Sequence, residues 1–143
     1  MNKRAFHIVM SRLMKSYNID TTKAAQSGHD VYIMTLEDGT SIFLMGNQQE
    51  YLNIMSPFAS LEQGINTASG TLLSLLAINA WSPRHPMFTL GVDIHKMKII
   101  LSCRQALAEL NDSETHKLVR TFIETVLTLQ TWLRRQAKDA RKA

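Results

Sequence analysis

The residues of this chain that could carry metal or nucleophilic chemistry are five histidines, His7, His29, His85, His95 and His116, and one cysteine, Cys103. A zinc site needs three or four closely spaced ligands, and no histidine is flanked by cysteine or carboxylate at such a spacing. His85 and His95 could approach through the turns around them, but two imidazoles without a third ligand read as surface residues. No serine sits in a nucleophile elbow, and no glycine-rich loop could cradle a phosphate. Glu37 and Asp38 are adjacent carboxylates that turn geometry explains better than catalysis. Cys103 lies in the apolar string "MKIILSCRQ", the ordinary place for a structural cysteine, and a single cysteine cannot staple a fold. The expectation is no enzyme, no metal site and no cofactor.

What must be positioned is therefore a surface, and the totals bound the elements that build it. The 143 residues suit one domain, 1–143, with a core large enough to fold unaided. Apolar residues make up 45% and charged residues 20%, and the longest apolar runs fall well short of the roughly 20 residues of a membrane span. The opening "MNKRAFHIVMSRLMKSYNID" has basic residues before an apolar segment, as a signal peptide does. Arg12 and Lys15 interrupt that segment at helical spacing, however, so it reads as an amphipathic helix of a cytoplasmic protein. Net charge is +4, with much of the excess in residues 134–143, "RRQAKDARKA". A basic end on a helix is favoured by the helix dipole. Nucleic-acid binding is the alternative use of such a tail, but no RNA- or DNA-binding motif accompanies it, and no nucleic-acid partner is expected.

Residues 3–17 place Phe6, Val9, Met10, Leu13 and Tyr17 on one helical stripe. Strands are expected at about 30–36, 41–46 and 51–56, with Asp38-Gly39 as a two-residue hairpin turn and Pro57 ending the third strand. Residues 66–80, "NTASGTLLSLLAINA", read as a second helix apolar enough to be buried on more than one side. Strands at about 87–92 and 97–103 follow, joined by a turn around Asp93 to Lys96. The last helix opens near Asp112 or Ser113 and steps through Val119, Phe122, Val126, Leu129 and Leu133. The order α-β-β-β-α-β-β-α defines a single α+β domain with an antiparallel sheet.

Pairing outwards from a two-residue turn puts Val31, Ile33, Thr35, Ile42 and Leu44 on one face. Tyr32, Met34, Leu36, Phe43 and Met45 fall on the other, and the third strand divides into Leu52 and Ile54 against Tyr51, Asn53 and Met55. The first set is stiff and core-like. The second is aromatic and methionine, soft side chains common at adaptable binding surfaces. Helices covering both faces would explain the pattern equally well, so partner surface and core stay balanced on the residues alone.

The stretch "LLSLLAINAWSPRHPMFTLGVDIHKMKIILS", a leucine-rich helix ending in "LLAIN" and strands carrying "LGVD" and "MKIIL", resembles the class I type III secretion chaperones, the Tir chaperone family. The likeness extends over nearly the whole chain through the shared element order. It implies a small cytoplasmic homodimer of a Gram-negative bacterium. Such a chaperone binds the N-terminal segment of one or more secreted effectors, keeps it extended and hands it to the secretion apparatus, often through its ATPase. Carried over residue by residue, the resemblance implies effector contacts at Tyr32, Met34, Phe43, Met45 and Met55, with strand addition at a sheet edge as a further mode. It also implies a dimer interface built from the second helix and the fourth and fifth strands, through Leu72, Leu76, Ile78, Trp81 and Leu90.

One property departs from the family. Its members are commonly acidic, whereas this chain has a sequence pI near 9.4, which suits an acidic effector or a membrane-proximal contact. Two other readings stand beside the chaperone: an adaptor of the same fold that binds a folded partner, and a nucleic-acid-binding protein using the basic tail.

Overall fold

Apolar residues three and four apart make the first helix one-sided, and that side sets the position of everything after it. The computed structural model describes residues 2–17, 31–46, 50–60, 69–80 and 86–142, with side chains for 6–17, 31–46, 50–60, 73–79 and 86–136. Helix α1, Asn2–Ser16, buries Phe6, Met10, Leu13 and Met14, with Val9 and Tyr17 packed at the margin. Gly46 sits so close to the Phe6 ring that a methyl group there would collide with it.

Three strands follow: β1 Val31–Thr35, β2 Ser41–Met45 and β3 Tyr51–Ser60. The β1–β2 turn corrects the two-residue expectation. The Leu36 N–H donates to the Thr40 carbonyl at 2.8 Å and the Gly39 N–H to the Leu36 carbonyl at 2.9 Å, closing a loop of Glu37, Asp38 and Gly39. Gly39 takes φ +88°, the left-handed position that a three-residue hairpin loop requires. The Asp38 carboxylate accepts from the Thr40 N–H at 3.0 Å. Hydrogen bonds from Thr40 hold this carboxyl below its ordinary range.

One extra loop residue moves the register by one, so Ile33 pairs with Phe43 and Met34 with Ile42. Such a slip exchanges the two faces of one strand. Tyr32 and Met34 therefore join Ile42 and Leu44, while Val31, Ile33 and Thr35 join Phe43 and Met45. The third strand divides as expected, since Leu44 pairs with Ile54 and Phe43 with Met55.

Pro57 does not end β3. The strand runs on to Ser60 and its register against β5 shifts between Pro57 and Ala59, leaving Phe58 as the extra residue of a bulge, where a strand proline is tolerated. The Phe58 carbonyl freed by the bulge accepts from Gln130 Nε2 at 2.9 Å. The same nitrogen donates to Thr40 Oγ1 at 2.8 Å, so one buried amide ties the hairpin loop, the bulge and the last helix together.

Helix α2, Ser69–Ala80, precedes β4 Thr89–Asp93 and β5 Lys98–Ala106, and a short 3-10 turn leads into α3, Asp112–Lys142. The cap of α3 is Asn111, one residue earlier than expected: its Oδ1 accepts from the Glu114 N–H at 2.7 Å. The sheet order is β1-β2-β3-β5-β4, antiparallel throughout. One sheet face meets α1 and α3, burying Ile42, Leu44, Leu52, Ile54, Ile99 and Leu101 against Val119, Phe122, Val126, Leu129 and Leu133. On the other face, none of the described side chains is buried.

Candidate partner-binding surface

The open face follows from strand alternation once the hairpin register is set: each odd-numbered residue from Val31 to Thr35, Ser41 to Met45 and Tyr51 to Pro57 points to it. Ile33 is 56% exposed, and Phe43, Met45 and Met55 are half-buried by their neighbours. Across β3 and β5 the face dips into a cavity of about 370 Å³ bordered by Met45, Asn53, Met55, Met87, Ser102 and Arg104. Three unbranched methionines around one hollow can repack around differently shaped guests. Arg104 lies over the Tyr51 ring, 3.8 Å from its centroid. A second cavity, about 410 Å³, lies where Phe88 and Gln105 meet Glu109, Glu114 and Lys117 at the start of α3.

The two sheet edges differ. At β4, the Asn79 side chain of α2 donates to the Leu90 carbonyl at 2.7 Å and accepts from the Leu90 N–H at 2.6 Å, so a side chain occupies the groups that a further strand would use. At β1, the bonded Leu36–Thr40 pair and antiparallel alternation turn the backbone groups of Ile33 and Thr35 outwards. No described strand pairs with that edge, and an open strand edge is a template for strand addition.

The five expected effector contacts divide. Phe43, Met45 and Met55 lie together on the open face. Tyr32 and Met34, 4% and 6% exposed, lie on the helix-covered face. Tyr32 Oη is 2.7 Å from His7 Nδ1 of α1, its ring packs edge-on to Phe6, and burial raises its pKa. The open-face residues that the sequence reading did not assign as contacts, Val31 and Ile33, owe their place to the longer hairpin loop; a glycine followed by threonine is compatible with either loop length. Met87, Ser102 and Arg104 reach the cavity only through the β3–β5 and β4–β5 registers, which the sequence does not display.

Of the five expected dimer residues, Leu76 and Ile78 are exposed, Leu76 at 63%, whereas Leu90 is buried. The Leu72 side chain and Trp81 lie outside the described residues. Among the described residues, burial of α2 on more than one side is not found: Leu75 enters the core, but Leu73 and Leu76 face outwards.

The residues first considered for chemistry are dispersed. His7 contacts Tyr32, His95 lies in the β4–β5 turn with its N–H on Asp93, and His116 stacks on Tyr17 at 5.2 Å. His29 and His85 are outside the described residues. Among the described residues no three of His, Cys, Asp and Glu come together as metal ligands. Cys103 is buried on the helix-covered face, where desolvation pushes its thiol up to about 12 and away from nucleophilic reactivity at neutral pH. No described helix is long and apolar enough to cross a membrane.

Comparison with solved structures gives the same fold at low sequence identity. The chain is similar to the ExoT–SpcS complex from Pseudomonas aeruginosa (14% identity, TM-score 0.59, covering 88% of this chain and 94% of that one). It is similar to the Yersinia pestis type III secretion chaperone SycH in complex with a fragment of YscM2 (12%, TM-score 0.62, 87% and 98%). The ExoU–SpcU complex of the Pseudomonas aeruginosa type III secretion system also matches (13%, TM-score 0.62, 83% and 92%). Comparison with curated proteins by sequence finds no match. The family model for the Tir chaperone protein (CesT) family matches residues 10–130; with most of its length so matched, the chain belongs to the Tir chaperone protein (CesT) family.

Proposed function

We propose that this protein, an effector-binding type III secretion chaperone, holds the N-terminal segment of its client extended across the open sheet face and along the β1 edge. The observation that carries this reading is the asymmetry of the sheet. One face is packed by α1 and α3, while the other presents Ile33, Phe43, Met45 and Met55 next to a strand edge with which no described strand pairs. Apolar side chains of an unfolded segment would dock on that face, and its backbone would pair with the outward groups of Ile33 and Thr35. Such a site recognises a class of segments more than one rigid shape, as methionine-rich surfaces do.

Two chains pair through α2 in this account. Exposed Leu73, Leu76 and Ile78 on that helix form the kind of apolar strip that a partner subunit covers, and pairing would place two open faces on one assembly. The protein works by binding alone, in the cytoplasm of a Gram-negative bacterium, and releases its client at the secretion apparatus, with the secretion ATPase as the receiving component.

The test is affinity capture with this protein from its own bacterium's cytosol, followed by limited proteolysis of what co-purifies. The expected product is a protected N-terminal stretch of a secreted protein, about 50–100 residues without a core of its own. Capture of a fully folded partner, or of nucleic acid alone, would overturn the proposal.

A further inference from the structure

We infer that the open face selects client segments carrying a carboxylate beside an aliphatic side chain, with Arg104 and Asn53 as the receptors for the carboxylate. The inference rests on the docking reading above and specifies the chemistry of its ligand.

Arg104 is an exposed cation on β5, with no ion pair among the described residues. Its guanidinium lies face-on over Tyr51, 3.8 Å from the ring centroid. Stacking occupies the flat face of a guanidinium and leaves its in-plane N–H groups available. Directly opposite Arg104 in the β3–β5 register stands Asn53. Its Nδ2 is shut away from water with no hydrogen-bond partner among the described residues. A donor buried in this way is costly until an acceptor arrives, and a turn of the amide into the adjoining cavity would present it.

Both groups border the cavity formed with Met45, Met55 and Met87. Ser102 and Thr89 also border the cavity, and the Ser102 hydroxyl is already directed to the Thr89 carbonyl at 3.5 Å. Two unpaired donors, one of them charged, beside an apolar hollow define a complement: an acidic side chain next to Leu, Ile or Met. A carboxylate can accept from both donors at once, where an amide or hydroxyl brings no charge to the guanidinium. The chain's net charge of +4 favours the same class of segment at longer range.

The experiment is selection of phage-displayed random 15-mer peptides on the full-length protein, followed by titration of one selected peptide. Wild-type protein should enrich Asp or Glu adjacent to aliphatic residues. Changing that acid to its amide should weaken binding about tenfold, whereas on Arg104→Gln the same change should have almost no effect. On Arg104→Glu, a peptide with Lys at that position should bind better than the acidic parent. If the amide peptide loses as much on Arg104→Gln as on wild type, or if no acidic preference is selected, the inference is wrong. Loss of peptide binding on Phe43→Asp would in either case keep the docking face. Peptides indifferent to Phe43→Asp would overturn the docking reading and this inference with it.

Discussion

Asn79 binds both backbone groups of Leu90, donating to its carbonyl at 2.7 Å and accepting from its N–H at 2.6 Å. The asparagine at the end of "LLAIN" thus stands in for a strand against the outer edge of β4. Replacing it by alanine leaves two backbone groups without protein partners. Asn79→Ala should cost about 2 kcal/mol, read as a lower urea midpoint with unchanged slope. A loss below about 0.5 kcal/mol would mean that water substitutes freely and that the edge is not sealed by this side chain.

The hairpin register separates two neighbouring positions that a two-residue turn would have paired. Met34→Asp places a carboxylate in the helix-covered core and should cost about 3 kcal/mol or more. Phe43→Asp changes the open face and should stay within about 1 kcal/mol of wild type. Thermal unfolding of the two purified variants compares them directly. Equal destabilisation would show that both faces are core.

Leu76 lies on α2 at 63% exposure, so a charge there should leave the single chain folded. Leu76→Glu is expected to halve the mass seen by light scattering while the circular dichroism spectrum is retained. An unchanged mass would remove α2 from the subunit interface.

Alkaline pH should weaken the fold through groups whose protons the native state retains. Burial pushes the Cys103 thiol up to about 12 from its ordinary 9.0, and burial likewise raises Tyr17 and Tyr32. Between those limits the unfolded chain releases the thiol proton and the native chain keeps it. The stabilising contribution is therefore whole below about pH 9 and is lost as pH rises towards 12. Urea midpoints at about pH 8 and pH 10.5 should fall, and Cys103→Val should reduce the fall. The same slope in the variant would assign the effect to the tyrosines alone.

Much of the architecture was legible because helix periodicity and proline–glycine punctuation act locally. The α1 and α3 stripes, the five strands and the closed sheet face through Leu52 and Ile54 all come from spacing. The faces of β1 were not legible, because a two-residue and a three-residue loop at Asp38-Gly39 differ only in whether Glu37 joins the turn, and that single residue inverts the strand. Pro57 misled for a related reason: a bulge at Phe58 stabilised by Gln130, 72 positions later, makes room for a proline inside a central strand. Phe43, Met45 and Met55 share one face, as the alternation of their own strands requires. The cavity with Arg104 depends on pairings between distant strands, and no local pattern encodes those. For α2, hydrophobicity led to the expectation of a covered helix, but could not say whether its own chain or another would cover it.

The proposed client site is the sheet face opposite α1 and α3. The most direct measurement is photo-crosslinking in the native bacterium with p-benzoylphenylalanine placed at Phe43, on the open face, and at Leu127, exposed on α3. The expected result is a covalent adduct with the N-terminal region of a secreted protein from position 43 and none from position 127. Adducts to that region from position 127, with none from position 43, would contradict it.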